Sequence, residues 1–261
     1  MISVKNNQKG RFGNKFIRNM VMYIINSKHN IIPIYELDNQ DIDSFKRLGI
    51  NFKINNPLSN MIKEKISSNK IIKLLDNSNS IDSSRHYILD GFYQDSDIIK
   101  YIYQYFNNPN NNLPINIIDN NPYKTRYNNN NDIFIHLRAG DIFNNGKKVV
   151  PNLKYYESII NFIKDYNNIY IASDNFNNFI YESLSNKFKI IKYDSDKIDT
   201  IQFGSTCKYI ILSSGSFSLV ISFLSFYSKN IFFSEDMGAM LDKKRWHPDF
   251  FESLEYEKLY L

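Results

Sequence analysis

The chain has 261 residues, 43% of them hydrophobic, which is enough for one large domain or two small ones. Its net charge of +5, without any block of like charges, favours a small anionic ligand such as a nucleotide over a nucleic acid polymer. The single cysteine, Cys207, excludes a disulfide or a cysteine-based zinc site within the chain. No signal-type N-terminus and no 18-residue apolar span occur, so we expect a soluble, cytoplasmic protein.

Short β-branched runs alternate with amphipathic segments along the chain. The runs that predict strands are 2–5, 31–35, 87–89, 133–137, 169–172, 189–193 and 209–212. The segments that predict helices are 16–27, 97–106, 155–166, 175–184, 200–206, 217–225 and a terminal piece from Pro248. This alternation predicts an α/β fold with mostly parallel sheets. The span 107–131, rich in Asn and Pro, is the predicted linker between two halves, with a ligand cleft between them.

The stretch DIFIHLRAGDIF, residues 132–143, begins as a buried strand and then places three ionisable groups at and just past the strand's end. These are His136, Arg138 and Asp141, with Gly140 among them. Ligands of parallel α/β sheets bind beyond the carboxyl ends of the strands. Taken singly, each of the three is more simply a satisfied histidine or a member of a surface ion pair. Together at one strand end, they predict a functional site.

The segment HLRAGD (136–141) resembles the HxRRxD-type motif of the α-1,2/α-1,6-fucosyltransferase superfamily, and most closely the bacterial-type α-1,2-fucosyltransferases. Three further segments follow in the family's order. GRFGNKF (10–16) resembles the amino-terminal GGLGNQ-type loop, and LDGFYQDSDII (89–99) is similar to the GYFQS segment. CKYIILSSGSFSLVISFL (207–224) resembles the C-terminal block that contains NSTFSWW. Together the four segments extend over nearly the whole chain.

The sequence departs from the family's pattern at several positions. Ala139 replaces the second arginine of the motif, and Lys15 stands where the family has Gln. These two departures bear on donor affinity or donor identity. Ser214 stands where Asn is usual, and Leu219 and Val220 replace a tryptophan pair, which is consistent with repacking of a buried helix.

The resemblance implies a GT-B-like fold of two Rossmann-like halves. Residues 1–125 would form the acceptor side, and residues 126–261 would bind the nucleotide sugar, with a terminal helix crossing back. The implied activity is inverting, metal-independent transfer of fucose from GDP-fucose, the donor substrate, to a sugar hydroxyl of a glycan acceptor. It implies no cofactor, no nucleic acid partner and no integral membrane segment. The alternatives are a transferase of the same fold with another nucleotide sugar, or a non-catalytic protein that binds sugar nucleotides or carbohydrate.

A nucleotide-sugar transferase must stabilise a diphosphate leaving group, which requires positive charge or oriented N–H donors. Arg138 suits this task because its planar guanidinium can make two parallel bonds to phosphate oxygens, and the resemblance puts the donor-phosphate arginine here. The predicted strand-to-helix turn at Gly215 offers the helix N–H groups of Ser216, Phe217 and Ser218 to the same phosphates.

The loop GRFGN places two glycines between a predicted strand and a predicted helix. It lacks the third glycine and the acidic residue of a dinucleotide fingerprint, so an ordinary turn is the simpler interpretation. With the resemblance, the candidates for binding donor or acceptor in this loop are Gly10, Arg11, Gly13 and Asn14.

Several acidic and imidazole side chains have two interpretations. Asp199 is first a predicted helix N-cap, and the resemblance adds pairing with guanine. His136 either donates to the nucleotide or faces inward as a structural histidine. Asp174, at another strand end, is a cap or a cleft residue. Asp141 either orients Arg138 or acts as the base that inversion requires.

The identity of the base stays open among Asp141, Glu36, Asp38 and Asp95. Two DSD segments, 95–97 and 194–196, are of the kind that binds Mn²⁺ or Mg²⁺ in metal-dependent transferases, and we interpret both as surface loops. A serine hydrolase is disfavoured because Ser214 and Ser218 occupy the positions where a nucleophile elbow around Ser216 needs glycine.

Overall fold

The structure is a computed structural model, and it describes residues 2–4, 11–29, 33–35, 37–52, 63–76, 86–89, 91, 93, 95–140 and 151–233. The chain divides into two compact units, Met1–Asn120 and Asn121–Leu261. In both units the described strands pair in parallel and alternate with helices. The prediction of an α/β protein with mostly parallel sheets is therefore confirmed. The roles expected for residues 1–125 and 126–261 stay predictions.

The first unit contains a four-stranded sheet with the order β2-β1-β4-β3. Its strands are β1 (Ile2–Val4), β2 (Pro33–Tyr35), β3 (Lys63–Lys65) and β4 (His86–Leu89). Its helices are α1 (Phe12–His29), α2 (Asn39–Arg47), α3 (Ser68–Leu75), α4 (Ser96–Phe106) and α5 (Asn112–Asn120). Strand β1 pairs with both β2 and β4, so it is central.

An aromatic cluster holds the helices of the first unit together. The rings of Phe45 and Phe106 stack on Phe16 of α1, with centroids 5.9 Å and 6.2 Å away. Arg18 on the same helix is 1% exposed, and its Nε donates to the carbonyl oxygen of Gly91 at 2.9 Å. A buried guanidinium requires such partners because an unpaired charge in the core is costly.

The second unit contains a five-stranded parallel sheet with the order β7-β6-β5-β8-β9. Its strands are β5 (Ile133–Leu137), β6 (Ile169–Ser173), β7 (Ile190–Lys192), β8 (Tyr209–Leu212) and β9 (Asn230–Phe232). Its helices are α6 (Leu153–Phe162), α7 (Phe179–Lys187), α8 (Lys197–Gly204) and α9 (Ser216–Phe223), and a 3-10 turn spans Lys124–Arg126. The chain proceeds outward from β5 through β6 to β7, and then resumes on the other side of β5 with β8 and β9. The position between β5 and β8 is thus the topological switch point, where ligands of doubly wound sheets bind.

Strand β5 is buried along its whole length, as expected for the central strand of a parallel sheet covered on both faces. Ile133 pairs with Ile169 of β6 and with Tyr209 of β8. Helix α8 packs closely on this strand, because a Cβ added at Gly204 would lie 2.5 Å from the ring of Phe134.

The structure differs from the sequence prediction in several elements. Strands β3 and β9 and helices α2, α3 and α5 were not predicted. The span 107–131, predicted as the linker, contains α5 and the 3-10 turn, and Leu113 and Ile117 of α5 are buried. The boundary between the two units falls within that span. The predicted terminal helix from Pro248 lies outside the described residues. None of the helices in the described part of the chain has the length and apolar character needed to cross a membrane.

Candidate functional site

Three segments meet at the carboxyl edge of the second unit's sheet. Arg138 follows β5, Asp174 follows β6, and Gly215 follows β8. Because β5 lies between β6 and β8, these segments are neighbours in space. Sequence order separates them widely, and the parallel topology brings them to the switch point.

Helix α9 begins at this edge with no side-chain cap. Its N-cap residue is Gly215, with φ 105°, and in the described chain no side-chain hydrogen bond caps the helix. The first N–H groups of a helix lack partners within the helix and carry its positive dipole end, so an uncapped start favours an anion.

Arg138 lies against this helix start. A Cβ added at Gly215 would clash with Nη1 of Arg138, so the guanidinium occupies the space of the missing side chain. The positive φ of Gly215 independently favours glycine. A guanidinium and the amino end of α9 are thus side by side, which is the combination of donors that a phosphate group needs.

Asp174 holds the loop that carries Arg138. Its Oδ1 accepts hydrogen bonds from the backbone N–H groups of Ala139 at 2.7 Å and Gly140 at 2.8 Å. A Cβ at Gly140 would lie 2.8 Å from Oδ2 of Asp174, so the loop also needs a small residue there. Sequence reasoning treated Asp174 as a cap or cleft residue and missed this anchoring role.

Ala139 packs inward. It is 1% exposed and belongs to the hydrophobic core that contains Leu137 and Tyr156. The position at which the family motif has a second arginine therefore faces the core in this chain.

His136 is a buried, neutral histidine that positions its neighbours. It is 6% exposed, and its Nδ1 lies 2.7 Å from Oγ of Ser218. Its ring centroid is 5.1 Å from that of Phe217. Burial lowers the pKa of His136 to about 4, with Asp174 opposing the shift and Arg138 adding to it. A neutral imidazole supplies no positive charge to a phosphate. The burial of His136 and its contact with Ser218 match the second interpretation, a structural histidine that faces inward.

Asp196 rather than Asp199 caps helix α8. Its Oδ1 accepts from the N–H groups of Ile198 at 2.7 Å and Asp199 at 3.0 Å. The helix begins at Lys197, two residues before the predicted cap. The prediction that Asp199 is the N-cap is therefore wrong. The apolar pattern placed the start of the helix at residue 200, three residues after its actual start.

The carboxylate of Asp199 accepts hydrogen bonds from three hydroxyl groups. The donors are Tyr123 at 2.7 Å, Ser195 at 2.6 Å and Tyr193. Burial alone would raise the pKa of Asp199, but the hydrogen bonds outweigh it and lower that pKa. A carboxylate has about four acceptor positions, so few remain for another donor. Pairing with both N–H groups of guanine therefore requires release of at least one hydroxyl.

The remaining predicted residues belong to the first unit or lie outside the described residues. Gly10 and Asp141 lie outside the described residues, as does Glu36. Arg11 is exposed, and helix α1 begins directly after it, so Gly13 and Asn14 are helical rather than part of a loop. All three belong to the first unit.

The two DSD segments have local roles. Asp95 occupies the N-cap position of α4, and Asp194 forms an ion pair with Lys192 at 2.8 Å. Among the described residues, no group of three or more His, Cys, Asp or Glu side chains is arranged to hold a metal ion.

No protein-family model and no curated protein matches this chain. The resemblance to fucosyltransferases therefore rests on the four sequence segments alone.

Proposed function

We propose that this protein is an inverting glycosyltransferase of GT-B-like architecture that transfers fucose from GDP-fucose to a glycan hydroxyl. One observation carries the proposal: the guanidinium of Arg138 lies against the uncapped start of α9 at the switch point of a parallel sheet. This is the place and the set of donors that a nucleotide diphosphate requires. The choice of fucose as the sugar follows from the resemblance of HLRAGD (136–141) to the fucosyltransferase motif.

The proposed reaction forms one bond and breaks another at the anomeric carbon of the sugar. The acceptor oxygen bonds to that carbon from the face opposite the leaving group, and its proton passes to a base. The bond to the β-phosphate oxygen breaks, and its electron pair stays on the diphosphate. Arg138 and the first N–H groups of α9 stabilise the negative charge as it develops. Asp141 stays a candidate for the base or for a residue that orients Arg138.

Two further residues have positioning roles in this proposal. Asp174 fixes the backbone on which Arg138 is carried, through the N–H groups of Ala139 and Gly140. His136 fixes the first turn of α9 through Ser218. Preorganised donors of this kind need little rearrangement when the leaving group departs.

A transferase of the same fold with another nucleotide sugar is the second candidate. The observation that favours it is the carboxylate of Asp199, which three hydroxyl donors already engage. A nucleobase that offers fewer N–H donors than guanine could bind without displacing any of the three hydroxyl groups from Asp199.

Calorimetric titration of the full chain with GDP, UDP and dTDP tests the proposal. We expect GDP to bind more tightly than UDP by about 1–3 kcal/mol, the value of a good bidentate base contact. Arg138→Ala should bind all three diphosphates more weakly than the wild type. Lys187→Ala, which removes an exposed positive charge elsewhere in the same unit, is the control and should bind them as the wild type does. Preference for UDP or dTDP would favour the second candidate. Failure of every diphosphate to bind would remove both.

A transfer assay with GDP-fucose then separates an enzyme from a binding protein. Slow hydrolysis of the donor, which needs no known acceptor, is the first readout, and transfer to a panel of oligosaccharides is the second. Tight binding of GDP-fucose without turnover in either assay would indicate a sugar-nucleotide-binding protein.

A further inference from the structure

A pocket of about 540 Å³ lies at the opposite edge of the same sheet, where its strands begin. Asparagines 128–131 lead into β5, and Asn167 stands just before β6. Lys208 directly precedes β8 and Lys229 directly precedes β9, and Tyr227 completes this part of the lining.

The pocket is separate from the site at Arg138. The two lie at opposite ends of β5, a strand of five residues, which separates them by roughly 15 Å or more at about 3.3 Å per residue. Both belong to the second unit. The proposed transfer reaction uses none of the residues that line the pocket.

Asn130 builds a fixed wall of the pocket. Its Nδ2 donates to the carbonyl oxygens of Arg126 at 2.6 Å and Thr206 at 2.9 Å. Its Oδ1 accepts from the backbone N–H groups of Asp132 at 3.0 Å and Lys208 at 3.3 Å. An amide with all of these bonds holds two segments of the chain together, so the pocket has a defined shape before any ligand arrives.

The charge of the lining favours an anion. Lys208 donates from Nζ to Oδ1 of Asn131 at 2.5 Å, and Nδ2 of the same amide donates to Oδ2 of Asp165 at 3.2 Å, so a neutral amide stands between the ammonium and that carboxylate. Lys229 adds a second positive charge. The described residues that line the pocket include no carboxylate. Two ammonium groups with no carboxylate among the described lining residues are suited to a ligand with a carboxylate or another anionic group.

The other lining groups are suited to a sugar ring. Tyr227 is 46% exposed and offers an aromatic surface beside Tyr127, with ring centroids 5.3 Å apart. Asn128 and Asn167 are exposed, and within the described chain their side-chain amides take part in no hydrogen bond. An amide presents both donors and an acceptor, which matches the vicinal hydroxyl groups of a saccharide. An aromatic face can cover the apolar C–H side of the same ring.

We propose that this pocket binds an acidic saccharide, a sugar that carries a carboxylate, as a non-catalytic site. The lysines would hold the carboxylate, Asn128 and Asn167 would bond the hydroxyl groups, and Tyr227 would cover the ring. The proposal does not depend on the transferase activity, because it rests on a different edge of the sheet and on different residues.

Saturation-transfer NMR of the full chain with glucuronic acid, glucose and adenosine monophosphate tests the proposal, and inorganic phosphate is measured by its competition with glucuronic acid. We expect glucuronic acid to bind more tightly than the other three. Lys229→Gln should weaken that binding about threefold, the effect of one exposed charge pair. Tyr227→Ala should weaken it further, because the ring surface is lost. Lys192→Gln, which removes an exposed lysine at the other edge of the sheet, is the matched control and should leave it unchanged.

Three results would overturn the proposal. The first is that phosphate or adenosine monophosphate binds as tightly as glucuronic acid, which would indicate a general anion site or a nucleotide site. The second is that Lys229→Gln and Lys192→Gln have equal effects. The third is loss of glucuronic acid binding in Arg138→Ala, which would place the sugar at the other edge. Retained binding of glucuronic acid in Arg138→Ala supports the proposal. That result would hold whether or not the transferase proposal is correct.

Discussion

The guanidinium of Arg138 occupies the space in which a side chain at Gly215 would begin. The two residues follow neighbouring parallel strands, β5 and β8, and meet at the start of α9. Residue 215 is therefore glycine for two separate reasons, its positive φ and the arginine beside it. This relationship ties a backbone conformation directly to the placement of the charge that the proposed reaction needs.

Gly215→Ala should impair both folding stability and diphosphate binding. The added methyl group meets Arg138 and a φ of 105°, so we expect the free energy of unfolding to fall by about 1–3 kcal/mol. The displaced guanidinium should also weaken GDP binding, measured by calorimetry. Gly49→Ala is the matched control, since Gly49 has φ 77° and its added Cβ would meet Asn116 in the first unit. That variant should lose stability and keep GDP affinity. If Gly215→Ala bound GDP as tightly as the wild type, the contact between Arg138 and residue 215 would have no part in diphosphate binding.

Arg138→Ala should lower turnover with GDP-fucose by roughly two orders of magnitude or more, because one phosphate contact that strengthens in the transition state is lost. Arg138→Lys keeps the charge without the planar pair of donors, so its turnover should be intermediate. Thermal unfolding of both variants checks the fold. A variant that loses stability while it retains wild-type turnover would show that Arg138 has only a structural role.

Stability should fall in acid because of His136. Its pKa is about 4 in the folded chain against an ordinary value of 6.5, so between these values the unfolded chain binds a proton that the folded chain does not. The free energy of unfolding should therefore decrease as the pH falls from 6.5 towards 4, by up to about 3 kcal/mol from this residue. His136→Asn retains a side chain that can bond Ser218 and does not titrate. Urea unfolding of both proteins across this range gives the free energy of unfolding at each pH. We expect the values for the wild type and His136→Asn to converge as the pH falls, and a constant difference between them would rule the effect out.

Turnover should persist in excess EDTA. Positive charge at the diphosphate comes from Arg138 and the start of α9, so the proposed reaction needs no divalent ion. The measurement is the rate with GDP-fucose before and after dialysis against EDTA. Complete loss that Mn²⁺ restores would shift the proposed diphosphate site towards Asp194 and Asp196.

Asp199→Ala should remove the preference for GDP over UDP while the affinity that Arg138 provides remains. Guanine offers two adjacent N–H donors to one carboxylate, and the variant has no carboxylate to receive them. Tyr123→Phe deletes one of the hydroxyl donors to Asp199 and leaves the carboxylate, so it should preserve or increase the preference. Equal preference in wild type and Asp199→Ala would assign base recognition to other residues.

The central sheet of the second unit could be predicted well from the sequence. Strands β5 and β8 were predicted with the bounds observed, because short, mostly apolar runs that contain β-branched residues are typical of strands buried on both faces. Strand β3, with the sequence KEK, has no apolar signal, and its position in the sheet comes from pairing with β4. Helix α5 was missed because its asparagines suggest a loop, while Leu113 and Ile117 pack it onto its unit.

The candidate site could be predicted only in part. Arg138 and the start of α9 follow from strand ends and a glycine, which are local features of the sequence. The bond from Tyr123 to Asp199 joins residues far apart in the chain, and no local pattern reports it. The same is true of Asp174 and the loop after β5, where a carboxylate was visible but its two backbone partners were not.

The central position of β5 also sets an order of events during synthesis. Its partner β6 begins at residue 169, whereas its other partner, β8, begins only at residue 209. A nascent chain can therefore pair β5 with β6 while the other edge of β5 still lacks its neighbour. Contacts between distant segments form late, since they require closure of long loops. Arg138 therefore leaves the ribosome well before Gly215, and the two residues can meet at the carboxyl ends of β5 and β8 only after the chain has emerged past residue 215.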